Sequence, residues 1–128
     1  VTDHRALPHL PGRYLIDAYG NGGFRFGHLS HRGSILCLPS GVYAWAVRRL
    51  VEITDETLAP VVAERGEGAE ILLLGTGLRM DRVPDTIRRN LRAHRIGIDV
   101  MDTGSACRTY NIMLGENRPV AAALIAVD

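Results

Sequence analysis

The chain has no lysine: its fifteen basic residues are all arginine, set against fourteen acids for a formal net charge of +1. So small an excess excludes the strong positive field of a general nucleic-acid or anionic-membrane binder. Arginine forks onto carboxylates and phosphates, but coding bias in a GC-rich genome explains a lysine-free chain more simply. Cysteine is almost as scarce. Cys37 and Cys107 are far apart, form no CxxC, and follow no secretory pattern, which excludes a disulfide framework and points to a reducing compartment, the cytoplasm. No apolar run is long enough to span a bilayer, so an integral membrane protein is not expected. The opening VTDHRALPHLPG has no signal-peptide character.

What is present suits one soluble domain: 128 residues, 46% of them hydrophobic and 23% charged, suffice for a single core. The organising stretch is Glu70 to Gly77, EILLLGTG. Four consecutive aliphatic residues between an acidic lead-in and two glycines read as a short strand buried on both faces. Upstream, residues 1–12 read as a loose leader, and 13–128 as the domain. Tyr14 to Tyr19 is strand-like, and Gly20-Asn21-Gly22-Gly23 is a strong turn signal. Phe24-Arg25-Phe26 alternates as a half-buried strand. GHLSHRG reads as a polar loop, Ser34 to Leu38 as a strand, Pro39-Ser40-Gly41 as a break, and Val42 to Val47 as another strand. This first half is an antiparallel β-rich unit.

The pattern then changes. A helix is expected from about Thr57 to Glu64, with Pro60 in its first turn and Gly66 and Gly68 ending it. Pro84 opens a second helix, whose apolar Ile87 and Leu91 are flanked by Arg88, Arg89, Arg92 and Arg95. Ile96 to Met101 is a strand. Ser105 to Leu114 is a third helix with Gly115 as its stop, and Pro119 to Val127 a last strand. The order β-α-β-α-β predicts a short parallel sheet. The fold class is therefore α/β: one compact domain with an antiparallel β-rich N-terminal half and a parallel C-terminal half.

In such sheets ligands bind beyond the carboxyl ends of the strands. Gly75-Thr76-Gly77 and Asp102-Thr103-Gly104 are those ends, expected side by side. Arg79, Asp81, Ser105, Cys107 and Asn111 are placed to border them, and amides at the start of the third helix favour an anion. One reading is a pocket for a small molecule or anion; the other is that the glycines merely turn the chain. A dinucleotide fingerprint fails, because Met80 stands where GxGxxG needs its third glycine. Cys107 lies where a helix start lowers a thiol pKa, but no histidine adjoins it in sequence, and a small buried hydrophobe is the competing reading. Cys37 reads as core. His28 and His31 lack acidic or thiol companions, so no metal site is expected. Tyr43 and Trp45 share one strand face, as core or as a partner surface. Arg118 is read as pairing with Glu116 or as tying down the turn into the last strand.

The stretches GGFRF, GSILCLP, EILLLGTG and MDTGSACRTYNIMLGENRPVAAALI, in this order, resemble a family of small domains shared by bacteria, archaea and mitochondria. Its best-known member is mitochondrial complex I assembly factor 3. The family's motifs match at Gly75, Thr76, Gly77, Thr103, Ala106, Tyr110, Asn111, Glu116 and Arg118. The resemblance implies a compact α/β fold particular to the family and a non-catalytic, protein-binding role in assembly. It implies no cofactor and no catalytic residue. A protein partner, with the chain as monomer or homodimer, is the expectation. The alternative is a binding protein, or an enzyme, using the Gly75-Thr76-Gly77 loop and the start of the third helix.

Overall fold

The structure, a computed structural model, describes residues 9–128. Two sheets form. The larger has six strands: β1 (Leu10–Pro11), β5 (Ser34–Leu38), β6 (Gly41–Trp45), β7 (Ile71–Gly75), β8 (Gly97–Met101) and β9 (Val120–Leu124), in the order β1-β6-β5-β9-β7-β8. The smaller is an antiparallel meander of β2 (Ala18–Gly20), β3 (Gly23–Phe26) and β4 (Leu29–Arg32). Helices α1 (Ala59–Ala63), α2 (Asp85–Ala93) and α3 (Thr103–Gly115) complete the domain.

The β-α-β-α-β expectation holds: β7 lies between β8 and β9 and is parallel to both. The two halves then merge into one sheet, because β9 also pairs antiparallel with β5. Side-chain alternation sends Leu72 and Leu74 to one face and Leu73 to the other. Each of these three leucines is at most 1% exposed, and burying a leucine stabilises by roughly 1.5–3 kcal/mol. On the first face they meet Val61 of α1 and Ile87 and Leu91 of α2. On the second they meet Ala106, Cys107, Tyr110 and Met113 of α3, with Phe24 and Phe26 of the small sheet. Tyr43 and Trp45 belong to the first core, and the Trp45 indole N–H donates to the Thr57 carbonyl at 2.9 Å. They are core, not a partner surface.

Several local expectations are corrected. Tyr14 to Asp17 is not strand; pairing begins at Ala18. Ile16 instead exchanges both backbone hydrogen bonds with the Asn111 side chain, at 2.8 Å each. The GHLSHRG segment is not a loop throughout, since Leu29–Arg32 pairs with β3. Gly27 and His28 make the turn at φ 53° and 66°, a conformation that histidine adopts less readily than glycine or asparagine. Leu10 and Pro11 of the expected leader pair with β6, and residues 1–8 lie outside the described residues.

Helix boundaries move for identifiable reasons. Thr57 does not start α1, because the Thr54 and Thr57 hydroxyls accept each other's backbone N–H at 3.2 and 2.9 Å, closing a separate turn. Gly66 lies within a 3-10 turn (Arg65–Glu67), and Gly68, at φ 118°, makes the reversal. α3 begins at Thr103 instead of Ser105, because the Asp102 carboxylate caps it. Gly115 is still helical, and the left-handed stop is Asn117 at φ 58°.

Candidate functional site

The two glycine-threonine turns do lie side by side, with Gly75 opposite Met101 in register. Their polar groups, however, are spent on each other. The Thr103 N–H donates to the Gly77 carbonyl at 2.9 Å, and the Gly77 N–H donates back to Thr103 Oγ1 at 3.0 Å. That hydroxyl donates its own proton to the Ile125 carbonyl at 2.7 Å, while the Ile125 N–H donates to the Gly75 carbonyl at 3.0 Å. The circuit welds the end of β7, the start of α3 and the exit from β9. Thr103 is fully buried and fully bonded. Gly75 is glycine for packing: a Cβ there would lie 2.9 Å from the Thr103 Cα and 3.1 Å from Leu124.

The neighbouring loop is organised around Thr76. Its N–H donates to the Met101 carbonyl, and its hydroxyl donates to the Arg79 carbonyl at 2.6 Å and accepts from the Asp81 N–H at 3.1 Å. The Arg79 side chain is exposed, between Leu78 and Met80, which are 81% and 60% exposed. At the start of α3, the Ser105 N–H donates to Asp102 Oδ2 at 3.0 Å and its hydroxyl to Oδ1 at 2.7 Å. The Ser105 hydroxyl bond, then its amide bond, holds the Asp102 carboxyl below the usual range. An anion arriving here would meet that carboxylate.

The remaining candidates point elsewhere. Cys107 is buried in the core under α3, and burial pushes its thiol up to about 12, the reverse of an activated nucleophile. Cys37 lies in the same core and is raised by burial too. Asn111, two turns along α3, is committed to Ile16. Arg118, past the end of the helix, reaches Glu116 at 4.0 Å, and its N–H donates to the Met113 carbonyl at 3.0 Å. Gly75, Thr76, Gly77 and Thr103 are thus brought together with Ser105 close by and the Arg79 carbonyl bonded to Thr76, whereas the side chains of Arg79, Cys107, Asn111 and Arg118 are not part of that cluster. No group of three or more His, Cys, Asp or Glu among the described residues is placed to hold a metal. His31 packs edge-on against His9, ring centroids 4.8 Å apart; burial first, then the charge of His9, lowers its pKa.

Sequence reasoning missed three features. Arg13 donates to the Val120 carbonyl at 3.0 Å and hydrogen-bonds Tyr110, pinning the chain to α3 and β9. Glu64 is 1% exposed, and its carboxylate accepts from the Ser40 N–H at 2.8 Å and the Ser40 hydroxyl at 2.5 Å, bracing the turn between β5 and β6. The third is a concavity of about 500 Å³ on the small sheet, lined by Ala18, Gly20, Arg25, Ser30 and Arg32 among others. Its signal was present in Phe26-Gly27-His28-Leu29: with the turn placed there, Ser30 falls opposite Arg25.

Residues 16–125 match the family described as "Protein of unknown function (DUF498/DUF598)". A Bos taurus protein named NADH dehydrogenase (ubiquinone) 1 alpha subcomplex assembly factor 3 is 34% identical over 115 residues, covering 90% of this chain and 62% of that protein. The chain therefore spans less than two thirds of that relative's length. A Bartonella henselae crystal structure, described as an outer membrane protein, is 49% identical with a TM-score of 0.89, covering 94% of this chain and 100% of that one. A Bordetella pertussis solution structure, described as a Mth938-like domain, is 28% identical with a TM-score of 0.77, covering 98% of this chain and 91% of that one. With this agreement in sequence and in architecture, the chain belongs to the DUF498/DUF598 family and has its Mth938-like α/β fold.

Proposed function

We propose that this chain is a non-enzymatic protein-binding domain acting as an assembly partner, as a monomer or homodimer in the cytoplasm. The observation that carries the reading is the 34% identity, across nine tenths of the chain, to a protein named for the assembly of NADH dehydrogenase. Brought to this chain, that name makes a subunit or assembly intermediate of a respiratory NADH dehydrogenase the partner. Leu78 and Met80, displayed on the loop after β7, supply exposed apolar side chains of the kind interfaces use. Burial of Cys107, which pushes its thiol up to about 12, weighs against its use as a nucleophile.

The anion-pocket alternative at Gly75-Thr76-Gly77 and the start of α3 draws less support. The amides of Thr76, Gly77, Thr103 and Ser105 already have acceptors, and the Asp102 carboxylate stands at the helix end. The test is capture of the tagged chain from native extract, including solubilised membranes, beside Leu78→Asp/Met80→Asp. Enrichment of NADH dehydrogenase subunits, lost in a variant that keeps its circular dichroism, is the expected result. Absence of any such subunit from the wild-type capture would refute the assembly reading.

A further inference from the structure

The register of the small sheet sorts its residues into two faces. Ala18 is opposite Arg25, Arg25 opposite Ser30, Gly20 opposite Gly23, and Gly23 opposite Arg32. Residues two apart share a face, so Ala18, Gly20, Gly23, Arg25, Ser30 and Arg32 share one. The other face carries Phe24 and Phe26, buried against α3 and the large sheet. The first face is therefore the outer one, and Arg25, Ser30 and Arg32 on it are exposed.

On this face three of the six positions are glycine or alanine, so Arg25, Ser30 and Arg32 are the side chains of any length on it. Gly23 admits no side chain, because a Cβ would lie 2.1 Å from the His31 carbonyl oxygen. The result is the concavity of about 500 Å³, within the size range of small-molecule sites. Arg25 and Arg32 are diagonal neighbours across β3 and β4, a relation that sets Cα atoms about 7–8 Å apart. Both arginines line the same concavity. Neither arginine has an ion pair among the described residues, where those present are Arg49–Glu52 and Arg118–Glu116. The residues lining the concavity include no acid and do include further donors, Ser30 and Asn21.

We propose that the outer face of the β2-β3-β4 sheet binds a small phosphoryl-bearing ligand, clamped between Arg25 and Arg32 over the glycine floor. Two planar forks on adjacent strands at the edge of one concavity suit a tetrahedral dianion, whose oxygens accept several charge-assisted hydrogen bonds at once. The Ser30 hydroxyl supplies a neutral donor beside Arg25. This site is separate from the welded strand ends and does not depend on the assembly role.

The experiment is isothermal titration of the full chain with inorganic pyrophosphate, inorganic phosphate and succinate. Arg25→Ala, Arg32→Ala and Ala18→Leu are the test variants, with Arg118→Ala as the control. Saturable binding of pyrophosphate is expected, weakened about tenfold or more by either arginine variant and unaffected in Arg118→Ala. Ala18→Leu, which fills the floor without altering charge, is expected to weaken binding too; a diffuse electrostatic attraction would survive it. No saturable binding of pyrophosphate or phosphate overturns the proposal, as does equal binding by wild type and both arginine variants. Binding of succinate in preference to either phosphate overturns the phosphoryl assignment.

Discussion

At the ends of β7 and β9 the glycine-threonine turns direct their polar groups at one another, while the outer face of β2-β3-β4 holds two arginines with no ion pair among the described residues. Both regions are rich in glycine, and both carry hydroxyl and charged side chains that chemistry often uses. The difference is where each glycine's missing side chain leaves room. At Gly75 the room is filled by Thr103 of the same chain, and at Gly20 nothing lies within 4 Å of where a Cβ would be. Gly75 thus serves packing in the first region, whereas Gly20 leaves open space in the second.

The contrast is open to attack, most forcefully at Thr103. Thr103→Val keeps the shape but leaves the Gly77 N–H and the Ile125 carbonyl buried without partners, an expected loss of about 2 to 4 kcal/mol by urea denaturation. A variant as stable as wild type would show that the circuit is not what holds the strand ends. Gly75→Ala tests the same weld by crowding, since the new methyl meets backbone that cannot move aside; about 1–3 kcal/mol is expected in the same assay. Asn111→Ala removes both bonds to Ile16. An expected cost of about 1–2 kcal/mol, with faster hydrogen exchange at the Ile16 amide, would confirm that α3 holds the entry to the small sheet.

The thiol of Cys107 sharpens the comparison through pH. Its pKa is raised from 9.0 to about 12 by burial, so above pH 9 the unfolded chain loses that proton before the native one does. Stability is then full below pH 9 and falls as pH rises toward about 12, by about 1 kcal/mol at pH 10. Chemical denaturation between pH 8 and 10 of wild type and Cys107→Ala checks this, the variant showing the shallower decline. The smallest effect belongs to the open face. Arg25→Ala and Arg32→Ala are expected to change stability by no more than about 0.5 kcal/mol; a larger loss by thermal denaturation would mean that these arginines support the fold.

Much of the architecture was legible in the residues. Ile71 to Leu74 read correctly as a doubly buried strand because consecutive aliphatics have no solvated face to offer. Asn21-Gly22 announced the first hairpin because both residues accept positive φ, as they do at 52° and 79°. The second hairpin escaped because Gly27-His28 puts a histidine where the turn chemistry favours glycine or asparagine. Tyr14 to Asp17 looked like a strand for good reason, since Ile16 is buried and its backbone is bonded; the partner is a side chain 95 residues later. At the candidate site, Gly75, Thr76, Gly77 and Thr103 do lie together, but their bonding to one another depends on where β9 ends.

The sequence by itself determined much of the period and the punctuation: the doubly buried strand at Ile71 to Leu74, which faces of α2 and α3 are apolar, and that the second half alternates β with α. These follow from local covalent geometry and side-chain transfer, which act within a few residues of each position. Only the tertiary structure decided that β9 joins the two halves by pairing with β5 and β7 at once. It alone decided that the strand-end donors are consumed internally, and that Arg25 and Arg32 line one concavity. A hydrogen bond or a repulsion depends on distances between residues far apart in the chain, and those exist only once the sheets have closed.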